Sequence, residues 1–135
     1  MSETQPGCGC SCGGNAGPKI IFACSGCADV GELADQAARK LTRDGAGRMA
    51  CLAGISGRIS GIVKSTEAAQ SILAIDGCPL DCTRKTLDIA GFARVNHVRL
   101  SDLGFEKGMT EITADAIAAV VDKAKNYLKL GVVRA

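Results

Sequence analysis

Aromatic side chains are scarce in this chain of 135 residues, which has three phenylalanines, one tyrosine and no tryptophan. A core must therefore be built from aliphatic side chains, as is usual where helices cover a parallel sheet. Strong charge is also missing, because the formal net charge is only +2 and the basic residues are scattered. Few aromatics and no basic stripe argue against a nucleic-acid partner.

Long apolar runs are absent as well. No stretch approaches the roughly 18 residues that a membrane helix needs, so no membrane partner is expected. The N-terminus is polar and rich in glycine and cysteine rather than apolar, which is unlike a secretory leader. We therefore expect a cytoplasmic protein. The sequence indicates no particular protein partner.

Cysteine, in contrast, is abundant, with eight residues in the chain. In a reducing compartment structural disulfides are rare, and thiols are available for metal or redox chemistry. Eight thiols are too many to be explained as small core residues. The cysteines are therefore the first candidates for functional residues.

The chain divides into a short tail and one domain. Residues 1–17 (MSETQPGCGCSCGGNAG) have low complexity and no apolar periodicity, which predicts a flexible tail. Residues 18–135 have the length of a single domain.

Apolar patterning within that domain predicts four strand–helix units. Their order predicts a small doubly wound parallel sheet, Rossmann-like or flavodoxin-like, with strand order 2-1-3-4 and helices on both faces. A glycine- and serine-rich turn is expected at 53–57. The strands are expected at 19–24, 48–52, 71–75 and 96–100. The helices are expected at 30–43 after an Asp29 cap, at 59–69, at 79–90 with Pro79 in the first position, and at 114–130 after a Thr113 cap.

Three cysteines fall where predicted strands end: Cys24, Cys51 and Cys78. The carboxyl ends of parallel strands share one edge, where open α/β sheets bind ligands. Cys82 would lie about one turn along the helix beginning at Pro79 and face the same side. Thiolates meeting in this way suit a tetrahedral zinc ion. The competing interpretation is that each cysteine is a small buried residue.

The segment 75–87 (IDGCPLDCTRKTL) resembles the signature of the DGC-domain family of zinc-binding proteins, named for Asp76, Gly77 and Cys78. The similarity continues in three more segments: 23–33 (ACSGCADVGEL), 51–55 (CLAGI) and 97–104 (HVRLSDLG). The resemblance implies zinc binding through the motif cysteines, which correspond here to Cys24, Cys51, Cys78 and Cys82.

The remaining thiols lie outside that pattern. Cys27, three residues after Cys24, is an alternative ligand, a resolving thiol or a small residue at a helix start. Cys8, Cys10 and Cys12 alternate with other residues in the tail. We interpret these three as additional soft-metal ligands on a mobile arm that could pass an ion to the domain. The alternative is an incidental low-complexity run.

Two polar residues near the edge have competing interpretations. Asp76 either orients a metal ligand or caps the following helix, and the cap is favoured. His97 is the single histidine. A lone histidine is more often a surface or packing residue than a ligand, so it is left out of the predicted metal site.

Enzymatic alternatives stay open. Cys78 and Arg84 have the C-x5-R spacing of cysteine phosphatases, but Pro79 lacks an N–H and Asp81 would repel an oxyanion. A thiol-based redox or sulfur-transfer enzyme, or an iron–sulfur protein, would use the same cysteines. We favour binding over catalysis. The prediction is a protein that holds zinc or another soft metal as a carrier, a sensor or a detoxification accessory.

Overall fold

The computed structural model describes residues 17–130, without the side chain of the last of them. Its four strands are all parallel and lie in the order β2-β1-β3-β4, which confirms the predicted order. The strands are β1 (Lys19–Ala23), β2 (Arg48–Met49), β3 (Ser71–Asp76) and β4 (Asn96–Arg99). The helices are α1 (Asp29–Arg43), α2 (Leu52–Ser56), α3 (Ser60–Glu67), α4 (Cys82–Ile89) and α5 (Ala114–Leu130), with a 3-10 turn at Leu100–Leu103.

Alternate residues of the central strands enter two separate cores. Ile21 and Ile75 point to one face of the sheet, where they pack with α1 and α5. Phe22 and Ala74 point to the other face, where buried side chains of α2 and α4 and half-buried ones of α3 cover them. The period of two is the normal alternation of a strand. Helices on both faces confirm the predicted doubly wound α/β fold.

The end of β2 and the segment that follows it differ from the prediction. β2 ends at Met49 rather than at residue 52, and α2 replaces the expected turn at 53–57. The glycine and serine content of α2 suggested a turn, yet Ile55 is buried in the core and anchors a short helix there. Tertiary packing has overridden weak helix propensity.

The start of α4 is a second correction. Pro79 does not begin the helix, because Asp81 adopts a left-handed conformation (φ 54°, ψ 44°) and α4 starts at Cys82. Cys82 is therefore the first helical residue, not a residue one turn along. The reason is an ion pair between Asp81 and Arg99 of β4, which holds the turn in place.

The caps predicted for α1 and α5 have different outcomes. Thr113 does cap α5, since its hydroxyl accepts a hydrogen bond from the Ala116 N–H at 3.1 Å. Asp29 is instead the first residue of α1, whose N-cap is Ala28. The Asp29 carboxylate accepts hydrogen bonds from the N–H groups of Gly108 and Thr110, at 2.8 and 2.9 Å, and so ties a distant loop to α1.

Within residues 17–130, no helix combines the length and the apolarity that crossing a lipid bilayer requires. The predicted tail lies outside the described residues except for Gly17, as do Cys8, Cys10 and Cys12.

Candidate functional site

The carboxyl edge of the sheet gathers the four cysteines that the sequence singled out. Cys24 directly follows β1, Cys51 lies two residues after β2, and Cys78 lies two residues after β3. Cys82 opens α4 beside them. Since all four strands are parallel, these positions share the edge where such sheets bind ligands. Every cysteine in residues 17–130 is a free thiol.

Cys24 is central to this edge. Its N–H donates to the Ile75 carbonyl at 3.1 Å, which extends the β1–β3 ladder by one residue. Burial raises the pKa of the Cys24 thiol, and the N–H groups of Gly26 and Gly77 oppose that rise through hydrogen bonds to the sulfur. The negative charges of Asp76 and Cys82 raise this pKa further. Cys24 is therefore electrostatically coupled to the loop after β3 and to α4.

Among the described residues, no three cysteine sulfur atoms all lie within 4.8 Å of one another. In the described part of the chain, one group of potential metal ligands has all its ligand atoms within 4.8 Å of one another: Asp76, Asp81 and His97. Four-thiolate coordination would require side-chain rotation. Cys51 and Cys82 are exposed, as is Cys27, so their side chains are the least constrained by packing.

Asp76 is a buried carboxylate with several partners. Its oxygens accept hydrogen bonds from the Thr83 N–H at 2.7 Å and the Arg84 N–H at 3.1 Å, which confirms that it caps α4. One oxygen also lies 2.9 Å from Nε2 of His97. Burial alone would raise the pKa of Asp76, but the hydrogen bonds from His97, Thr83 and Arg84 outweigh it and lower that pKa.

Gly77 follows Asp76 because the backbone of α1 leaves no room for a side chain. A Cβ atom at this position would lie 2.8 Å from the carbonyl carbon and oxygen of Val30. The close approach holds the loop after β3 against the start of α1. In the Asp-Gly-Cys motif, Asp76 thus caps α4, Gly77 allows the close contact with α1, and Cys78 places a thiol at the edge of the sheet.

Asp81 and His97 complete a network on the β3–β4 side of the edge. Asp81 forms a two-point ion pair with Arg99, at 2.8 and 2.5 Å, and one of its oxygens lies 3.7 Å from Nε2 of His97. The Arg99 hydrogen bonds hold the pKa of Asp81 below its usual range. Both carboxylates of the Asp76–Asp81–His97 group already have protein partners, so we interpret the group as structural. His97 contacts both carboxylates through Nε2, and its exclusion from the metal site stays a prediction.

Cys78 lines a cleft of about 480 Å³ with Leu80, Ser101 and Lys107, and its carbonyl accepts a hydrogen bond from the Asp81 N–H at 3.1 Å. The C-x5-R alternative gains no support, because the Arg84 guanidinium contacts Asp88 at 3.3 Å. The loop between Cys78 and Arg84 also contains Asp81, whose charge opposes an anion. The oxyanion-binding interpretation therefore has no geometric basis.

Sequence reasoning missed a second, larger cleft at the edge. It has a volume of about 830 Å³, lies beside Cys24 and Cys51, and includes Arg39 and Arg43 of α1. A signal was present, since residues four apart on a helix share one face and the predicted α1 runs alongside the strands that carry both cysteines. The ion pair between Asp81 and Arg99 was also missed, and nothing local in the sequence indicates it.

Comparison with known proteins gives two findings. The family model described as the DGC domain matches residues 20–124. The chain is 36% identical over 88 residues to the "Anaerobic and virulence modulator AnvM" of Pseudomonas aeruginosa, a match that covers 65% of this chain and 67% of the relative. No solved structure gives a significant match. The family match covers well over half of the sequence, so this chain belongs to the DGC-domain family.

Proposed function

We propose that the carboxyl edge of the sheet binds a soft metal ion, with zinc the first choice, through Cys24, Cys51, Cys78 and Cys82. The observation that carries the proposal is the position of Cys24. It lines one cleft with Cys51, and it follows β1, which lies in the sheet between the strands that precede Cys51 and Cys78.

The donor chemistry of these residues fits such an ion. Thiolates are the preferred ligands of zinc and other soft metals, and a bound ion replaces the thiol protons. Burial of Cys24 raises its pKa, so a metal ion would have to displace the proton there. The N–H groups of Gly26 and Gly77 would remain as hydrogen-bond donors to the metal-bound sulfur.

The role that follows from metal binding is that of a carrier, a sensor or a detoxification accessory. The name of the Pseudomonas relative describes a modulator. Among the three roles, a sensor agrees best with that word. We therefore propose a metal-dependent sensor in preference to a carrier or a detoxification accessory.

The test is elemental analysis of the full chain purified without oxygen or chelators. Wild-type protein is expected to hold one zinc ion per domain. Cys24→Ser and Cys78→Ser should each lose most of it, whereas Cys27→Ser is the matched control and should retain it. A variant with Cys8, Cys10 and Cys12 replaced by serine shows how much of the metal content of the wild type is bound by the tail.

Each alternative has its own signature in the same samples. Iron with acid-labile sulfide and broad visible absorption would identify an iron–sulfur protein instead. Wild-type protein without metal but with a reversible Cys24–Cys27 disulfide would favour a redox enzyme. Equal metal content in Cys27→Ser and Cys78→Ser would reject the proposed ligand set.

A further inference from the structure

The larger cleft at the edge contains two arginines, Arg39 and Arg43, that metal binding does not use. It lies between the ends of β1 and β2 and the last turns of α1, with a volume of about 830 Å³. That size is within the range of small-molecule sites. Its wall is largely apolar and includes Ala23, Met49 and Leu52. Two thiols and two guanidinium groups interrupt this apolar wall.

The cationic groups of the cleft are only partly neutralised. Arg43 has no ion-pair partner among residues 17–130. Arg39 donates through Nε to Asp35 at 2.6 Å, which leaves its two terminal nitrogens outside that bond. Asp35 is the one carboxylate that lines the cleft, and it also accepts a hydrogen bond from Ser25 at 2.7 Å. The cleft therefore favours an anionic guest, and guanidinium groups bind carboxylates well.

The two thiols of the cleft differ in their access to solvent. Cys51 is exposed, whereas Cys24 is half-buried. Exchange between a thiol and a disulfide requires an accessible thiolate. Cys51 is thus the exposed thiol that lines the same cleft as the two arginines. Cys27 and Cys82 are also exposed but do not line this cleft, so they are internal controls within the same chain.

We propose that Cys51 is a modification site that forms a mixed disulfide with small anionic disulfides. Arg39 and Arg43 bind the carboxylates of these disulfides. The Cys51 thiol loses its proton to solvent, and its sulfur attacks one sulfur of the small disulfide. A new S–S bond forms to Cys51, the original S–S bond breaks, and the other half leaves as a thiolate. The small disulfide is the oxidant and is reduced in this step.

This inference does not depend on the proposed metal site, although the two would interact. A mixed disulfide on Cys51 removes one of the four proposed thiolate ligands. The redox state of the small-thiol pool would then affect metal occupancy. The modification itself is tested on protein from which metal has been removed, so failure of one proposal leaves the other open.

The test compares two probes on the full chain: oxidised glutathione, which is anionic, and cystamine, which is cationic. Peptide mass mapping measures the rate of adduct formation at each cysteine. Cys51 is expected to react faster with oxidised glutathione than Cys27 or Cys82 does, and this preference should weaken with added salt. Electrostatic focusing in clefts raises rates by roughly tenfold or more.

Charge variants decide whether the arginines cause the preference. Arg43→Gln is expected to lower the glutathione-to-cystamine rate ratio at Cys51 by about three- to tenfold. Arg94→Gln removes the same charge from an exposed position just before β4, at the opposite edge of the sheet, and should leave the ratio unchanged. An equal ratio in wild type and Arg43→Gln would overturn the inference. Adducts at Cys27 or Cys82 that form as fast as those at Cys51 would do the same.

Discussion

The two halves of the carboxyl edge differ in how completely their polar groups are paired. On the β3–β4 side, Asp76 and Asp81 share their oxygens among helix N–H groups, His97 and Arg99. On the β1–β2 side, Cys51 is exposed and Arg43 has no ion-pair partner in the described chain. The carboxylates beside β3 and β4 are thus paired with several protein donors, whereas the pairing beside Cys51 is limited, among the described residues, to Asp35 with Arg39 and Ser25.

A cluster of potential ligands that is already bonded within the protein is structural rather than reactive. The tightest group of potential metal ligands in the described chain is Asp76, Asp81 and His97. Ligand proximity alone would select it, yet both of its carboxylates already accept hydrogen bonds from protein donors. Groups without protein partners remain free to bind something else. The β1–β2 side should therefore tolerate substitutions that the β3–β4 side does not.

The largest effect is expected from Asp76→Ala. It leaves the buried N–H of Thr83 without its acceptor and should lower the free energy of unfolding by about 2–4 kcal/mol. Urea unfolding measures this change. Asp35→Ala on the other side removes a partly exposed pair with Arg39 and should cost less than about 1 kcal/mol. Equal decreases in the free energy of unfolding for the two variants would contradict the proposed difference between the two halves.

Gly77→Ala is expected to have the second largest effect. Its new methyl group would meet the Val30 backbone at 2.8 Å, and overpacking of this kind costs about 1–3 kcal/mol. Gly61→Ala is the matched control, because a Cβ atom at this position of α3 would meet no neighbouring atom within 4 Å. Alanine should stabilise that helix by up to about 1 kcal/mol. Thermal unfolding of both variants is the measurement, and a Gly77→Ala protein as stable as wild type would contradict the close contact.

Arg99→Gln is expected to have a smaller effect. It breaks the two-point ion pair with Asp81. The Arg99 side chain is 31% exposed and the Asp81 side chain 17%, so the loss should lower the free energy of unfolding by about 1 kcal/mol. Arg43→Gln, which breaks no ion pair in the described chain, should change the free energy of unfolding by less than about 0.5 kcal/mol. Urea denaturation distinguishes the two. A larger loss for Arg43→Gln would show that the cleft is part of the scaffold.

Mild changes of pH should have the smallest effect. Hydrogen bonding lowers the pKa of Asp76 in the folded protein. Its stabilising contribution is therefore fully present above the unfolded carboxyl pKa of about 4 and is lost as the pH falls through the lower folded value. Stability contributed by Asp76 should be flat near neutrality and decline only in acid. Asp76→Asn should show a shallower acid decline, and a profile identical to wild type would contradict this assignment.

The sequence predicted much of this edge because its information was local. Apolar runs located the strands, and parallel strands necessarily end at one edge, so Cys24, Cys51 and Cys78 could be placed together. The cap made by Asp76 was also predictable, since an acidic residue preceded a helix. The exact start of α4 was not, because it depends on Arg99, which is 18 residues from Asp81 and adjacent only after β3 and β4 pair.

The larger cleft required knowledge that a sequence pattern does not contain. Arg39 and Arg43 lie on one face of α1, but their proximity to Cys51 depends on the β1–β2 pairing and on where α2 begins. The short helix α2 was itself mistaken for a turn. Burial of Ile55, rather than helix propensity, decides that element. Long-range packing therefore determined what the local pattern left open.

The contact of Asp29 with Gly108 and Thr110 has a consequence for how the protein matures. These bonds join residues 79 and 81 positions apart in the chain. Forming contacts between such distant residues closes a long loop, which costs conformational entropy and slows folding. A ribosome-bound chain that ends before Gly108 cannot make them. Cys24 and Cys51 are therefore both synthesised while the start of α1 still lacks the loop that holds it in the finished fold.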